Sequence, residues 1–125
     1  MGDRANVGIR SCGEEVWLYT HWLGSDLPEI VAAALDKGRD RWDQAEYLAR
    51  IVFQAMLGED KGNTGFGIWT SPPDNEHDLI VLDVDAQLVL TFKASSRDHK
   101  PVGGPKTSRT FKQVADGAKV AQAGK

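Results

Sequence analysis

The side chains best suited to hold a ligand are arginines and aromatics gathered at the ends of predicted elements. His21 and Trp22 close an aromatic segment, Arg39, Arg41 and Trp42 fall in one short polar stretch, and Tyr47 and Arg50 follow within two helical turns. Guanidinium forks take phosphate or carboxylate oxygens in pairs, and indole or phenol rings stack on flat ligands. Asn75, Glu76 and His77, in a polar loop, could close such a site. The combination suits a small anionic, nucleotide-like ligand. A structural alternative is that Trp22 and Trp42 anchor the core while Arg39 and Arg41 pair with Asp36, Asp40 and Asp43.

Other chemistries have less to stand on. His21 and His77 could form an acid/base pair, with Asp74, Glu76 and Asp78 near the second, but no serine sits in a nucleophile-elbow context. His21, His77 and His99 share no short ligand spacing, so no metal is expected. Gly62 to Gly67 is glycine-rich but lacks the Gly-Lys-Ser/Thr ending of a phosphate loop, and no cofactor motif is present. The single Cys12 can form no internal disulfide, which fits a reducing compartment.

These residues need a scaffold. Val7–Arg10 and Val16–Trp22 read as a hairpin, with Val16, Leu18, Thr20 and Trp22 on one face and Trp17, Tyr19 and His21 on the other. Leu27, Ile30, Val31, Ala34 and Leu35 follow helical spacing, and Gly38 ends that helix. Asp40 is expected to cap a second helix from about 41 to 57, with Trp42, Ala45, Ala49, Val52, Phe53 and Met56 buried and Glu46 paired with Arg50. Thr64–Thr70 reads as a strand and 71–78 as a loop. Leu79–Val84 and Gln87–Phe92 read as a hairpin turning at Asp85-Ala86, with Ile80, Leu82 and Val84 facing Leu88, Leu90 and Phe92. The order ββααβββ predicts an α+β domain over 1–92: about five mainly antiparallel strands with a helix hairpin on one face.

Beyond Phe92 the composition changes. Residues 1–90 carry seven basic and sixteen acidic side chains, a net of −9, and residues 91–125 carry eight and two, a net of +6. The stretch 93–109, with Pro101, Gly103, Gly104 and Pro105, reads as a mobile linker and 110–123 as a short helix, so 93–125 is expected to be a basic, flexible tail. It either folds back on the acidic body or stays disordered. Specific function is expected to survive its deletion. No apolar run reaches the ~20 residues of a membrane span, and no secretory signal opens the chain, so a cytoplasmic protein with no membrane partner is expected.

The stretches Met1–Val7, Leu18–Trp22, Leu27-Pro28, Gly38–Trp42, Tyr47–Ile51, Thr64–Ile68 and Asp74–His77 together resemble a family of small hypothetical proteins of bacteria and phage genomes. The resemblance covers about residues 1–90 and implies a phage or mobile-element setting in a bacterial host, with no mechanism attached. Small phage proteins without catalytic motifs often evade immunity by sequestering a nucleotide messenger or blocking a host protein. Three functions are therefore expected in turn: a non-enzymatic binding module for an anionic nucleotide-type messenger, an acidic inhibitor that mimics nucleic acid to a host defence protein, and a small nucleotide hydrolase using His21 and His77. Self-association is left open.

Overall fold

β-Branched and aromatic alternation near the N-terminus builds the first hairpin, β1 (Ala5–Ser11) and β2 (Glu14–Thr20), closed at Cys12-Gly13. In the computed structural model, which describes residues 2–59, 62 and 64–123, with side chains through 118, this hairpin is followed by α1 (Leu27–Lys37), α2 (Ala45–Leu57), β3 (Phe66–Trp69), β4 (Leu79–Asp83), β5 (Leu88–Ala94), β6 (Pro101–Thr110) and α3 (Phe111–Ala123). Single 3₁₀ turns at Gly24–Asp26 and Arg39–Arg41 lead into the first two helices. The fold is α+β. Its six strands form one mixed sheet in the order β3-β2-β1-β4-β5-β6, antiparallel throughout except where β1 runs parallel to β4.

All three helices cover one face of the sheet. Ala5, Val7, Ile9, Leu18, Ile80, Leu82 and Val84 meet Val31, Ala34 and Leu35 of α1, Leu48, Val52 and Met56 of α2, and Phe111, Val114 and Ala115 of α3. The opposite face holds a smaller apolar group of Trp17, Leu79, Val81, Leu90 and Phe92. Trp17 is 2% exposed because it lies flat across β1 at Gly8, its cross-strand partner. A Cβ on Gly8 would lie 2.9 Å from the Trp17 ring, so only glycine leaves room for the indole.

Several expectations change. The segment beyond Phe92 is neither linker nor tail: β6 pairs with β5, and Phe111, 0% exposed, sits in the main core. Pro101 and Pro105 are tolerated because β6 is an edge strand, where a missing N–H leaves no partner unsatisfied. α3 starts from a reciprocal cap, with Gln113 N–H donating to Thr110 Oγ1 at 3.0 Å and Thr110 N–H to Gln113 Oε1 at 2.9 Å. The strand count therefore rises to six, and the order becomes ββααββββα with β1 beside β4.

The faces of the β4–β5 hairpin also differ. The register pairs Leu79 with Phe92, Val81 with Leu90 and Asp83 with Leu88. Odd positions of β4 thus oppose even positions of β5, so Leu88, Leu90 and Phe92 lie away from Ile80 and Leu82. Asp40 caps no helix: a 3₁₀ turn intervenes, α2 begins at Ala45, and Leu48 joins Val52 and Met56 in its buried stripe. Arg50 donates to Gln54 Oε1, where a pair with Glu46 was expected.

Two substitutions test this architecture. Phe111→Ala should lower unfolding free energy by about 3–5 kcal/mol, a core cost that a flexible tail could not produce. Gly8→Val should cost about 1–3 kcal/mol by overpacking against Trp17. Urea denaturation with a constant m-value measures both.

Candidate functional site

β3 and β4 both run parallel to β1, so the chain leaving β3 must return along the sheet before entering β4. Residues 70–78 make that return across the face opposite the helices. Asn6, fully buried in β1, donates its amide to Asp74 O at 2.5 Å and to Asn75 Oδ1 at 3.2 Å. Arg4 Nη1 meets Asp74 Oδ2 at 3.0 Å, and Glu76 both donates its N–H to Arg4 O and accepts the Arg4 N–H. The Tyr19 phenol beneath is pushed above its usual pKa by burial and by the nearby Asp74 carboxylate.

The expected ligand residues fall into separate places. Asn75, Glu76 and His77 belong to this crossing segment, and their polar groups tie it to the N-terminal strand; the Asn75 amide also donates to His77 O. His21 and Trp22 stand at the end of β2, rings edge-on with centroids 4.4 Å apart, and His21 Nδ1 shares a 2.9 Å hydrogen bond with the Tyr19 hydroxyl. Asp3 links these two groups. Its N–H donates to His21 O at 2.8 Å, and its Oδ1 accepts from His77 Nε2 at 2.5 Å.

Arg39, Arg41, Trp42 and Tyr47 assemble elsewhere, at the turn between α1 and α2. Trp22 precedes α1 and Trp42 follows it, so its 11 residues separate the groups by about 16 Å. At the turn Arg39 lies over the Trp42 ring and bonds Asp36 at 2.9 Å and Asp116 at 2.7 Å. Those two carboxylates push the guanidinium above its ordinary pKa. Arg41 stacks 4.2 Å above Tyr47 and donates to Gln44, while Trp42 donates to Leu35 O and packs on Phe111. These contacts staple α3 to the helix turn. A phosphate at Arg39 would have to displace carboxylates already in place, whereas Arg41 and Arg50 bond the neutral side chains of Gln44 and Gln54.

The His21 and His77 rings bond Tyr19 and Asp3 respectively, and among the described residues no hydrogen bond joins the two histidines directly, although Asp3 bonds the backbone of one and the ring of the other. Of the body's acids, Asp3, Glu15, Asp36, Asp74, Glu76, Asp78, Asp83 and Asp85 are engaged in hydrogen bonds or ion pairs. Among the described residues no group of three His, Cys, Asp or Glu side chains is placed to hold a metal, and no helix is long and apolar enough to cross a membrane.

A cleft lies where no site residue was expected, between α1 and α3 above β4, β5 and β6. It is an open cleft with a volume of about 590 Å³, within the range of small-ligand pockets. Pro28, Ala32 and Ala33 form one wall, Val114, Gly117 and Ala118 the other, and Ile80, Val89, Thr91, Thr107 and Arg109 the floor. The helices leave this space because their facing side chains are small. Thr91 and Thr107 bond each other through their hydroxyls at 2.5 Å, and Glu29 of the first α1 turn also lines the cleft. Among the described residues Arg109 is its one lining cation and has no ion-pair partner.

A second lobe of about 260 Å³ adjoins it, sharing Pro28, Ile80 and Thr91 and reaching Ser25, His77 and Asp78. His77 fits there because Gly24 has no side chain: a Cβ would lie 2.7 Å from the imidazole. Ala32 and Ala33 are the legible signal for one wall of the cleft; Val114, Gly117 and Ala118 of the other lie in the stretch read as a short helix, and Thr107 and Arg109 in the stretch read as linker.

Comparison with protein-family models, curated proteins and solved structures finds no match to this chain.

The Asp3 carboxyl is held at about 2, below its ordinary 3.8, chiefly by the hydrogen bond from His77 and then by those from Ser25. A carboxyl lowered by folding stabilises the fold above its unfolded value, and that contribution disappears as the pH falls through the folded value. Urea midpoints should therefore drop between about pH 4 and pH 2, and Asp3→Asn should lower the neutral-pH midpoint and flatten that part of the profile. Equal slopes in the two proteins would contradict the assignment.

Proposed function

We propose that the protein is a non-enzymatic binding module whose α1–α3 cleft takes a small anion with an apolar or aromatic body, nucleotide-type molecules included. The observation that carries this reading is Arg109, a guanidinium without an ion-pair partner among the described residues, at the floor of a cleft of about 590 Å³ otherwise lined mainly by small apolar side chains. An apolar body would displace water from the alanine and valine walls, and the anion would take the arginine fork. The two threonine hydroxyls could reorient toward the ligand's polar edge.

The lining suits holding better than turnover. Its hydroxyls are bonded to one another, and among the described residues neither bonds an imidazole or a carboxylate. A sequestering role, as the motif resemblance implies for a phage setting, belongs to this same reading because sequestration requires affinity and no reaction.

The test is a thermal-shift and calorimetric panel of ADP-ribose, cyclic mononucleotides, cyclic dinucleotides and medium-chain carboxylates. One class should raise the melting temperature. Arg109→Ala should then weaken that ligand about tenfold or more, the scale of a lost charged hydrogen bond, while Arg41→Ala leaves affinity unchanged. No shift across the panel, or a shift removed by Arg41→Ala and kept in Arg109→Ala, would overturn the assignment.

A further inference from the structure

The two edges of the sheet are built differently. β6, at one end, carries Pro101, Pro105, Lys106 and Arg109, the residue types that discourage strand addition. β3, at the other, carries neither charge nor proline: Phe66-Gly67-Ile68-Trp69 lies in a stretch, residues 62–73, without one ionisable side chain. Ile68 is 54% exposed and Trp69 66% exposed. An uncharged, apolar edge on a chain of net charge −3 is where two copies can approach without like-charge repulsion.

We propose that β3 pairs antiparallel with β3 of a second copy, joining two six-stranded sheets into one across a two-fold axis. The occupant is chosen by self-complementarity. Side chains directly opposite in an antiparallel pair share a face, so a two-fold through Ile68 sets Ile68 against its own copy and Gly67 against Trp69 of the other chain. No atom lies within 4 Å of where a Gly67 Cβ would be, which leaves room for that indole. The fold already uses this pairing internally, where Trp17 lies over Gly8 across β1 and β2. Glycine opposite tryptophan thus occurs once within the chain, and twice more across the interface.

The pairing is short, since β3 has four residues, so the dimer belongs to the weak, small-interface class and forms with rising concentration. Sedimentation velocity on the full chain from about 10 μM to about 1 mM should show the weight-average mass moving from one chain toward two. Ile68→Lys and Trp69→Lys, both at exposed positions, should stay at one chain over that range with unchanged melting temperature. Val102→Lys, on the β6 edge, should associate like the parent protein. A parent chain that remains single throughout, lysine variants that associate as it does, or loss of association only in Val102→Lys would each overturn the proposal. The first outcome would leave the edge to a strand from a different protein.

Discussion

Because β1 lies between an antiparallel neighbour and a parallel one, the chain must cross the sheet once between β3 and β4, and both faces are shaped by how it does so. The helices take one face entirely. The crossing therefore runs over the other, as a short irregular segment whose backbone is pinned by hydrogen bonds to the start of the chain. Asn6 donates to Asp74 O from within β1, Arg4 O just before it accepts the Glu76 N–H, and the Arg4 and Asp3 side chains hold those of Asp74 and His77. The Asn6 amide nitrogen is thereby satisfied, while its buried Oδ1 has no hydrogen-bond partner among the described residues. That nitrogen fixes the position of the return.

Trp17 solves the second problem of that face. The crossing segment covers the Asn6 end of β1, and the far end is closed by an indole laid over Gly8. Arg10 then bridges outward, bonding Glu15 at 2.9 Å and lying over the Phe92 ring. One face is thus a conventional apolar interface with three helices, while the other is a patchwork of loop, tryptophan and ion pair. The same division explains where a cleft can form. Space between helices is set by side-chain size, and small residues on both α1 and α3 leave a gap that the core residues Leu35, Phe111 and Ala115 do not reach.

Local periodicity made much of this legible. Both early strands, the two central helices and the β4–β5 hairpin could be placed from alternation and 3.6-residue spacing, and the Trp17 and Leu18 faces follow from alternation alone. Parity in β4–β5 was harder: both strands are apolar on both faces, so composition does not say which residues meet, and only the register decides. β6 was hidden by its own chemistry, since prolines and paired glycines describe a linker as well as a protected edge. Thr110 and Gln113, at the spacing of a capping box, were the available clue that a structured helix follows. Of the arginine–aromatic residues, Arg39, Arg41, Trp42 and Tyr47 lie together at the turn between α1 and α2, while His21 and Trp22 lie at the other end of α1. Asp116, which ties Arg39 to α3, lies 77 positions along the chain from it.

The charge division between the two ends of the sequence takes on a different meaning once β6 and α3 belong to the sheet and core. Lys106 reaches Asp78 at 2.7 Å, His99 approaches Asp74 at 3.8 Å, and Arg39 of the acidic part takes Asp116 of the basic part. Exposed pairs of this kind contribute little each, so they align the C-terminal elements while Phe111 and Val114 hold them by burial. Arg109 stands apart from this exchange. It projects from the same strand as Lys106 but on the helix-facing side, lining the cleft, and forms no ion pair among the described residues. It is an exposed cation on an edge strand, set beside a cleft whose lining is mostly apolar apart from Glu29 and the two threonines.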